Sequence, residues 1–274
     1  MEASILTKWM LANCLLDSKA IVTAVKESNL ELVQQLHKDG CLWNEDICSI
    51  AAANGHLDIL KYLHEEDCLW DWTTCCAAAM NGHLDCLIYA HENGCSWTVA
   101  CGSSKYPLCA HANKWSRYSE TCIAAAANGH LECLRYAHEN GCPWDKETCK
   151  AAARNGYLDY LIYAHENGCG WDKFTCAAAA ANGHLDCLIY AHENGCPWDW
   201  RVCEYAATRG CLDILKYLHE EGCPWNAKVY RAAHNHPACL EYLDKCHCPV
   251  SMKVKLDRII KKLIEPKKDT ALMY

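Results

Sequence analysis

Cysteine and histidine are the reactive residues that stand out in this sequence. Of its 274 residues, 24 are cysteine and 15 are histidine. Thiols and imidazoles could hold zinc, form disulfides or act as nucleophile and base in catalysis. Their spacing bears on this choice, because most of the cysteines fall into three evenly spaced columns. Column one is Cys48, Cys75, Cys122, Cys149, Cys176 and Cys203; column two is Cys86, Cys133, Cys187 and Cys239; column three is Cys41, Cys68, Cys95, Cys142, Cys169, Cys196, Cys223 and Cys248.

Tryptophan marks the period of this pattern. Seven tryptophans lie 27 residues apart, except for one interval of 47 residues between Trp97 and Trp144. They are Trp43, Trp70, Trp97, Trp144, Trp171, Trp198 and Trp225. A fixed period of this length is typical of repeat proteins. The sequence therefore predicts nine units over residues 16–248, with a shortened, degenerate unit at 97–116 in the long interval.

The cysteine columns favour buried thiols over disulfides. Free cysteine behaves as a small apolar residue in a protein core. A ladder of disulfides within one column is disfavoured, because stacked helices lie about 8–10 Å apart and a disulfide needs Cα atoms within about 7 Å. Special thiol chemistry is then expected first among the cysteines outside the columns. These are Cys14, Cys76, Cys101, Cys109, Cys211 and Cys246.

One histidine column precedes the column-three cysteine by four residues in most units. A single histidine and cysteine form only half of a tetrahedral zinc site. We therefore expect each of these histidines to pack and to hydrogen-bond a neighbouring backbone carbonyl. The strongest metal-ligating candidates lie near the end of the repeats, and a zinc site there stays open as an alternative. They are His234, His236, Cys246 and Cys248.

No motif in the sequence indicates catalysis. The segment His91-Glu92-Asn93-Gly94-Cys95 resembles the start of a zinc-protease motif but lacks its second histidine. A Gly-Lys-Ser/Thr phosphate-binding loop and a Gly-x-Ser-x-Gly motif are both missing from the sequence. One active site does not need its cysteine and histidine in eight copies. We predict that the chain is not an enzyme and uses no cofactor.

The elements that carry these columns are predicted to be pairs of short antiparallel helices. In the unit that opens at Trp144, Asp145 is a suitable N-cap and Gly156 can end the first helix. The second helix then runs to Gly168. Each helix has about ten residues, fewer than the roughly 12–15 that an isolated helix needs. Stability must come from stacking of units, so we predict an all-α solenoid of stacked antiparallel helix pairs.

The recurring strings Gly55-His56-Leu57, Gly82-His83-Leu84 and Gly129-His130-Leu131 resemble the central motif of ankyrin repeats. The unit here has 27 residues, against about 33 in that family, so we expect β-hairpin fingers that are shortened or absent. The pattern is similar to the short, Cys- and Trp-rich ankyrin-like repeats of large DNA viruses and some protists. This resemblance implies a non-catalytic scaffold that binds another protein.

Four positions on the first helix vary between units while the framework recurs. They lie two, three, six and ten residues after the repeat tryptophan, and positions two, six and ten share one helix face. Tryptophan and arginine are enriched at binding hot spots, so this face is predicted to bind the partner. The candidate residues are Trp72, Met80, Lys146, Lys150, Arg154, Phe174, Trp200 and Arg201. The alternative is that these positions are solvated and free to vary.

Composition and the chain ends limit the remaining possibilities. The formal net charge of −8 argues against nucleic-acid binding, and no apolar run approaches the roughly 18 residues of a membrane helix. Without an export signal we expect a monomer in the cytoplasm, or in the host cytoplasm if the chain is viral. Residues 1–15 are expected to form an N-terminal cap, and the basic segment 249–274 a C-terminal capping helix or a docking signal. A thiol-rich zinc or redox protein and an assembly component of a capsid are the alternative functions.

Overall fold

The structure is a computed structural model that describes residues 19–43, 46–97 and 120–250, together with Leu256. The cap predicted at 1–15 lies outside the described residues, as do most of the short unit and most of the basic tail predicted from the sequence. Every element of regular structure in the described residues is helical. The predicted all-α architecture of helix pairs is confirmed.

The chain divides into two compact units, which we call the N-terminal unit (residues 1–171) and the C-terminal unit (residues 172–274). In the N-terminal unit, residues 19–26 are helical and the second helix Leu30–Lys38 follows. Its helix pairs are then Ile47–Ala53 with Leu57–Glu65, Trp72–Asn81 with Leu84–Glu92, Glu120–Asn128 with Leu131–Glu139, and Lys146–Asn155 with Leu158–Glu166. The pairs of the C-terminal unit are Lys173–Asn182 with Leu185–Glu193, Trp200–Arg209 with Leu212–Glu220, and Ala227–Ala232 (continued by a 3₁₀ turn, Ala233–Asn235) with Pro237–Lys245.

Helix Lys146–Asn155 begins and ends where the sequence predicts. The Asp145 carboxylate accepts a hydrogen bond from the Glu147 amide at 3.0 Å, which satisfies one of the free N–H groups of the helix start. Gly156 follows the last residue of this helix with φ +76°. A residue with a side chain rarely adopts this left-handed conformation. The helix therefore stops at the glycine and the chain reverses into the second helix.

The second helices end in a Schellman motif that places the column-three cysteine. In the repeat that ends at Cys142, the Gly141 amide donates to the His138 carbonyl at 3.0 Å and the Cys142 amide donates to the Ala137 carbonyl at 2.9 Å. This hydrogen-bond pair defines the motif, and the residue after the glycine usually makes an apolar contact with the helix. Cys142 is that residue and is buried.

Small side chains form the core between stacked repeats. The alanine pair Ala152 and Ala153 and the column-one Cys149 are all fully buried. Consecutive first helices pack directly against one another within each unit. Small residues at these contacts let the helices approach closely, whereas larger side chains such as Leu161 fill the second-helix side.

A first helix inside the long tryptophan interval packs against the first helix before that interval. Helix Trp72–Asn81 packs directly against helix Glu120–Asn128. A Cβ atom added to Gly82 would lie 2.4 Å from Nδ1 of His130, just as one added to Gly55 would lie 2.5 Å from Nδ1 of His83 in the next repeat. The two helices therefore make the contact of adjacent repeats. The shortened unit predicted at 97–116 lies almost wholly outside the described residues and stays a prediction.

Candidate functional site

The exposed surface of the first helices is the candidate binding site, and in the N-terminal unit it has an apolar part. Met80 is 45% exposed. Trp72 is half-buried, and its indole nitrogen is buried without a hydrogen-bond partner among the described residues. A partner would therefore meet the ring carbons of Trp72 rather than its N–H group. Cys76, which lies between them on the same face, is buried.

The last first helix of the N-terminal unit adds basic residues to this surface. Lys146 and Arg154 are exposed and Lys150 is half-buried. The Lys150 ammonium lies 2.8 Å from the Glu147 carboxylate, so part of its charge is already balanced within the helix. Lys146–Asn155 carries three basic residues and one acidic residue, which makes this helix a positive element.

In the C-terminal unit, aromatic and basic side chains lie together. The ammonium of Lys228 is 4.6 Å from the centre of the Trp200 ring, and the Arg201 guanidinium is 5.7 Å from it. Cations attract the negative face of an indole ring. Phe174 and Tyr205 are exposed by 45% and 42%. We call Phe174, Trp200, Arg201, Tyr205 and Lys228 the aromatic–basic patch.

One acidic residue joins the helices that carry this patch. The Asp199 carboxylate lies 3.5 Å from the Lys173 ammonium and 3.8 Å from the Arg201 guanidinium. Asp199 also accepts a hydrogen bond from the Arg201 amide at 3.0 Å as the N-cap of its helix. The carboxylate therefore holds basic side chains from two consecutive repeats next to each other.

Tyr205 and Lys228 are not among the partner-binding residues predicted from the sequence. Lys228 occupies the third position after Trp225, which is one of the variable positions, but in the last repeat. Tyr205 stands where most other complete units have alanine, for example Ala151 and Ala178. This departure from alanine was the signal that could have identified it, because only Tyr205 of these three is exposed.

Charge is distributed unequally between the two helices of a repeat. In each described repeat from Leu57 onward, the second of the two helices carries two acidic residues, as in Asp213 and Glu220 of helix Leu212–Glu220. In the C-terminal unit each of the three first helices carries more basic than acidic residues. Basic residues therefore outnumber acidic ones within the first helices of this unit, and the N-cap carboxylates Asp172 and Asp199 offset part of that excess.

The first histidine column connects consecutive repeats through aromatic contacts. The His138 ring stacks on Trp144, the residue that opens the next repeat, with ring centres 3.6 Å apart. Its Nδ1 is hydrogen-bonded to the hydroxyl of Tyr163 in the next repeat at 3.1 Å. The prediction that these histidines bond a backbone carbonyl was wrong in its partner, because the tyrosine hydroxyl takes that place. The same His–Tyr hydrogen bond joins His37 to Tyr62, His64 to Tyr89, His91 to Tyr136, His192 to Tyr217 and His219 to Tyr242.

A second histidine position precedes most of the second helices, and at His236 this histidine makes the backbone contact instead. His236 Nε2 is hydrogen-bonded to the Thr208 carbonyl of the preceding repeat at 2.9 Å. Its ring lies against Gly210, where a Cβ atom would be 2.3 Å from Nδ1. The glycine of one repeat and the histidine of the next are therefore one packing unit. The same approach joins Gly55 to His83, where an added Cβ would lie 2.5 Å from Nδ1, and it accounts for the glycine and the histidine of the Gly-His-Leu strings.

The four metal-ligating candidates have different partners. His236 contacts the Thr208 carbonyl, and His234 Nδ1 lies 3.2 Å from the Arg231 carbonyl. The Cys248 thiol is 3.8 Å from the Pro249 carbonyl, and Cys246 is half-buried. No group of three or more histidine, cysteine or acidic side chains that could hold a metal ion occurs in the part of the chain that the structure describes.

Column-one and column-three cysteines lie in contact within several repeats. The Sγ atoms of Cys48 and Cys68 are 3.2 Å apart, and those of Cys122 and Cys142 are 3.1 Å apart. The column-three thiol in turn donates to the carbonyl of the N-cap residue, as Cys169 does to Asp145 at 3.0 Å. These contacts satisfy the thiols in the core and tie the end of each repeat to its beginning.

No helix among the described residues is long and apolar enough to span a bilayer.

The chain is similar to known proteins in two of three comparisons. A family model described as ankyrin repeats (three copies) matches residues 48–148. A search of curated proteins finds no match. Among solved structures, the crystal structure of the human ASB11 ankyrin repeat domain is similar, with a TM-score of 0.55 and 16% sequence identity, covering 72% of this chain and 95% of that one.

Proposed function

We propose that this ankyrin-repeat protein is a non-catalytic scaffold that binds a partner protein through the exposed face of its first helices. Ankyrin repeats are generally protein–protein interaction modules. The observation that carries the proposal is the aromatic–basic patch. It is made of large side chains on an otherwise repeated framework of alanine, cysteine and leucine.

The exposed aromatic side chains of the patch support a binding role. Phe174 and Tyr205 are among the few large apolar side chains that the described residues leave exposed. A protein surface that keeps such side chains in water gains free energy when a partner covers them, at roughly 25 cal/mol per Å² of apolar area. Trp200 and Arg201 belong to the residue types that dominate binding hot spots.

The charge of the patch indicates the chemistry of the partner. Arg201 and Lys228 are exposed beside Trp200, while the second helices of the same unit carry pairs of acids. An acidic partner segment is attracted by the first-helix face and repelled by the opposite face, which fixes how it docks. We therefore propose a partner segment that combines acidic residues with apolar side chains.

The surface of the N-terminal unit is proposed as a second contact area. Met80 and the ring of Trp72 form its apolar part, and Lys146, Lys150 and Arg154 form its basic part. Each area has the same combination of apolar and basic side chains, so each fits the same class of partner. We further propose that the chain acts as a monomer in the cytoplasm, where reducing conditions keep buried thiols unbridged.

The test uses the full chain and three synthetic peptides of equal length. All three contain the same central apolar residues, which are flanked by acidic, by neutral or by basic residues. Fluorescence anisotropy should show that the acidic peptide binds most tightly and that added salt weakens it. Trp200→Ala and Lys228→Glu should each reduce its affinity by about tenfold, which is about 1.4 kcal/mol.

Lys216→Glu is the matched control, because Lys216 is an exposed lysine on the second helix Leu212–Glu220. This variant changes the net charge as Lys228→Glu does but leaves the first-helix face intact. We expect it to bind the acidic peptide as the unmodified chain does. Equal losses in both lysine variants, or equal binding of all three peptides, would contradict the proposal.

A further inference from the structure

The thiol pairs within the repeats carry an inference beyond partner binding. We propose that the paired column-one and column-three cysteines are oxidisable dithiols, which form one disulfide inside each repeat that holds such a pair when the chain reacts with hydrogen peroxide. The Sγ–Sγ separations of 3.2 Å for Cys48–Cys68 and 3.1 Å for Cys122–Cys142 are contact distances between thiols. A small approach of the two sulfur atoms brings them within bonding distance.

The fold builds this pair in the same way in successive repeats. The column-one cysteine lies on the first helix, and the column-three cysteine follows the Schellman glycine of the second helix, 20 residues later. Side-chain hydrogen bonds join the same two positions elsewhere in both units. The further pairs are Cys75 with Cys95, Cys176 with Cys196 and Cys203 with Cys223.

The two thiols of a pair differ in access and acidity. Cys122 has no exposed surface, whereas Cys142 is 3% exposed, and the same order holds for Cys48 at 0% and Cys68 at 5%. The hydrogen bond from Cys48 lowers the pKa of Cys68, while this bond and burial raise the pKa of Cys48. The column-three thiol is therefore the one that meets a small oxidant, and the column-one thiol stands behind it.

The reaction proceeds in two balanced steps. The Cys142 thiolate attacks one oxygen of hydrogen peroxide and the O–O bond breaks. The hydroxide that leaves takes up the proton lost from the thiol to give water, and Cys142 becomes a sulfenic acid. The Cys122 sulfur then attacks the Cys142 sulfur, the S–O bond breaks and a second water leaves. Two thiols have lost two electrons and two protons, and one peroxide has become two waters.

The thiols proposed to react are therefore column cysteines, whereas the sequence favoured the cysteines outside the columns. Disulfides along one column are excluded by helix spacing, but the observed pairs join two columns within one repeat. Of the off-column cysteines that the structure describes, Cys76 is buried, and Cys211 and Cys246 are half-buried. Among the described residues, Sγ–Sγ contacts are seen for column cysteines, so the column pairs are the better candidates for oxidation.

The test treats the full, fully reduced chain with hydrogen peroxide and maps its disulfides by proteolysis and mass spectrometry. We expect each intact chain to lose two hydrogens in mass per bridge, up to five bridges for the five pairs named above. The expected links join Cys48 to Cys68 and Cys122 to Cys142, with the corresponding links in the other repeats. The amides of the bridged repeats should exchange more slowly, because each link closes a loop in the unfolded chain.

Cys122→Ala and Cys133→Ala form a matched pair of variants. Both remove a buried helical thiol of the same repeat, but only Cys122 contacts Cys142. The first variant should lose its own link and leave Cys142 as a sulfenic acid that a sulfenic-acid probe captures. The second should keep all links. Thiols that stay reduced until the chain unfolds, or links between cysteines of unrelated repeats, would overturn the proposal even if both variants failed to fold.

Discussion

Replacing Gly210 with alanine tests how closely consecutive repeats approach in the C-terminal unit. Gly210 has φ +73°, and a Cβ atom there would lie 2.3 Å from Nδ1 of His236 in the next repeat. Separations below 3.0 Å are essentially never seen for real Cβ atoms. The His236 ring cannot move away without loss, because its Nε2 is hydrogen-bonded to the Thr208 carbonyl at 2.9 Å.

The expected cost of this substitution has three parts. The left-handed conformation costs an L-residue about 1–2 kcal/mol. Loss of the His236 hydrogen bond costs about 1 kcal/mol, and overpacking of the contact costs about 1–3 kcal/mol. Gly210→Ala should therefore destabilise its repeat by about 3–6 kcal/mol in total.

Gly183→Ala is the matched control within the same unit. Gly183 has φ +83°, but the nearest atom to an added Cβ is Sγ of Cys211 at 3.5 Å, an ordinary contact. This variant should cost only the conformational part, about 1–2 kcal/mol. The difference between the two variants isolates the contact between Gly210 and His236.

Native-state hydrogen exchange is the appropriate assay, because repeat proteins open locally and one unfolding midpoint does not describe them. The amides of helix Trp200–Arg209 in Gly210→Ala are compared with those of Lys173–Asn182 in Gly183→Ala. We expect the opening free energy to fall clearly more in the first variant. Equal losses would refute the close approach of glycine and histidine as the basis of the Gly-His-Leu string.

Two further predictions concern the histidine–tyrosine contacts. Tyr163→Phe should destabilise the N-terminal unit by about 1 kcal/mol in urea titrations, because it removes one half-buried hydrogen bond to His138, whereas Tyr205→Phe on the exposed face should change nothing. Desolvation lowers the pKa of His91 and His138 below the ordinary 6.5, so the unfolded chain binds more protons at acidic pH. Stability should be full above about pH 6.5 and fall as the pH drops below that value, and His138→Gln should weaken this dependence. Stability that rises on acidification would contradict the lowered pKa of these two histidines.

The helix boundaries were predictable because each depends on a local signal. Asp145 and Gly156 act through hydrogen bonds and backbone angles of their immediate neighbours, so their roles do not depend on the tertiary fold. The helix-pair architecture follows from these signals repeated at a fixed period. The direct contact of helices Trp72–Asn81 and Glu120–Asn128 was not predictable, because a counted period does not say which helices stack.

The partners of the columns could not be derived from their spacing. His138 contacts Tyr163 through the offset between two stacked repeats, and that offset is a tertiary property. The pair of Cys122 and Cys142 depends on how the Schellman turn folds the chain back onto the first helix. Considering only neighbours within one column therefore missed the contact between columns. For the candidate site, the variable positions marked the surface, but only the fold placed Lys228 over Trp200.

A hydrogen-exchange footprint of the full chain with the acidic peptide bound tests directly whether the partner binds the first-helix face. We expect slower exchange in the first helices Trp200–Arg209 and Ala227–Ala232 of the C-terminal unit. The second helix Leu212–Glu220 should exchange as in the unbound chain. Protection confined to the second helices, or spread evenly over both helices of each repeat, would contradict binding through the first-helix face.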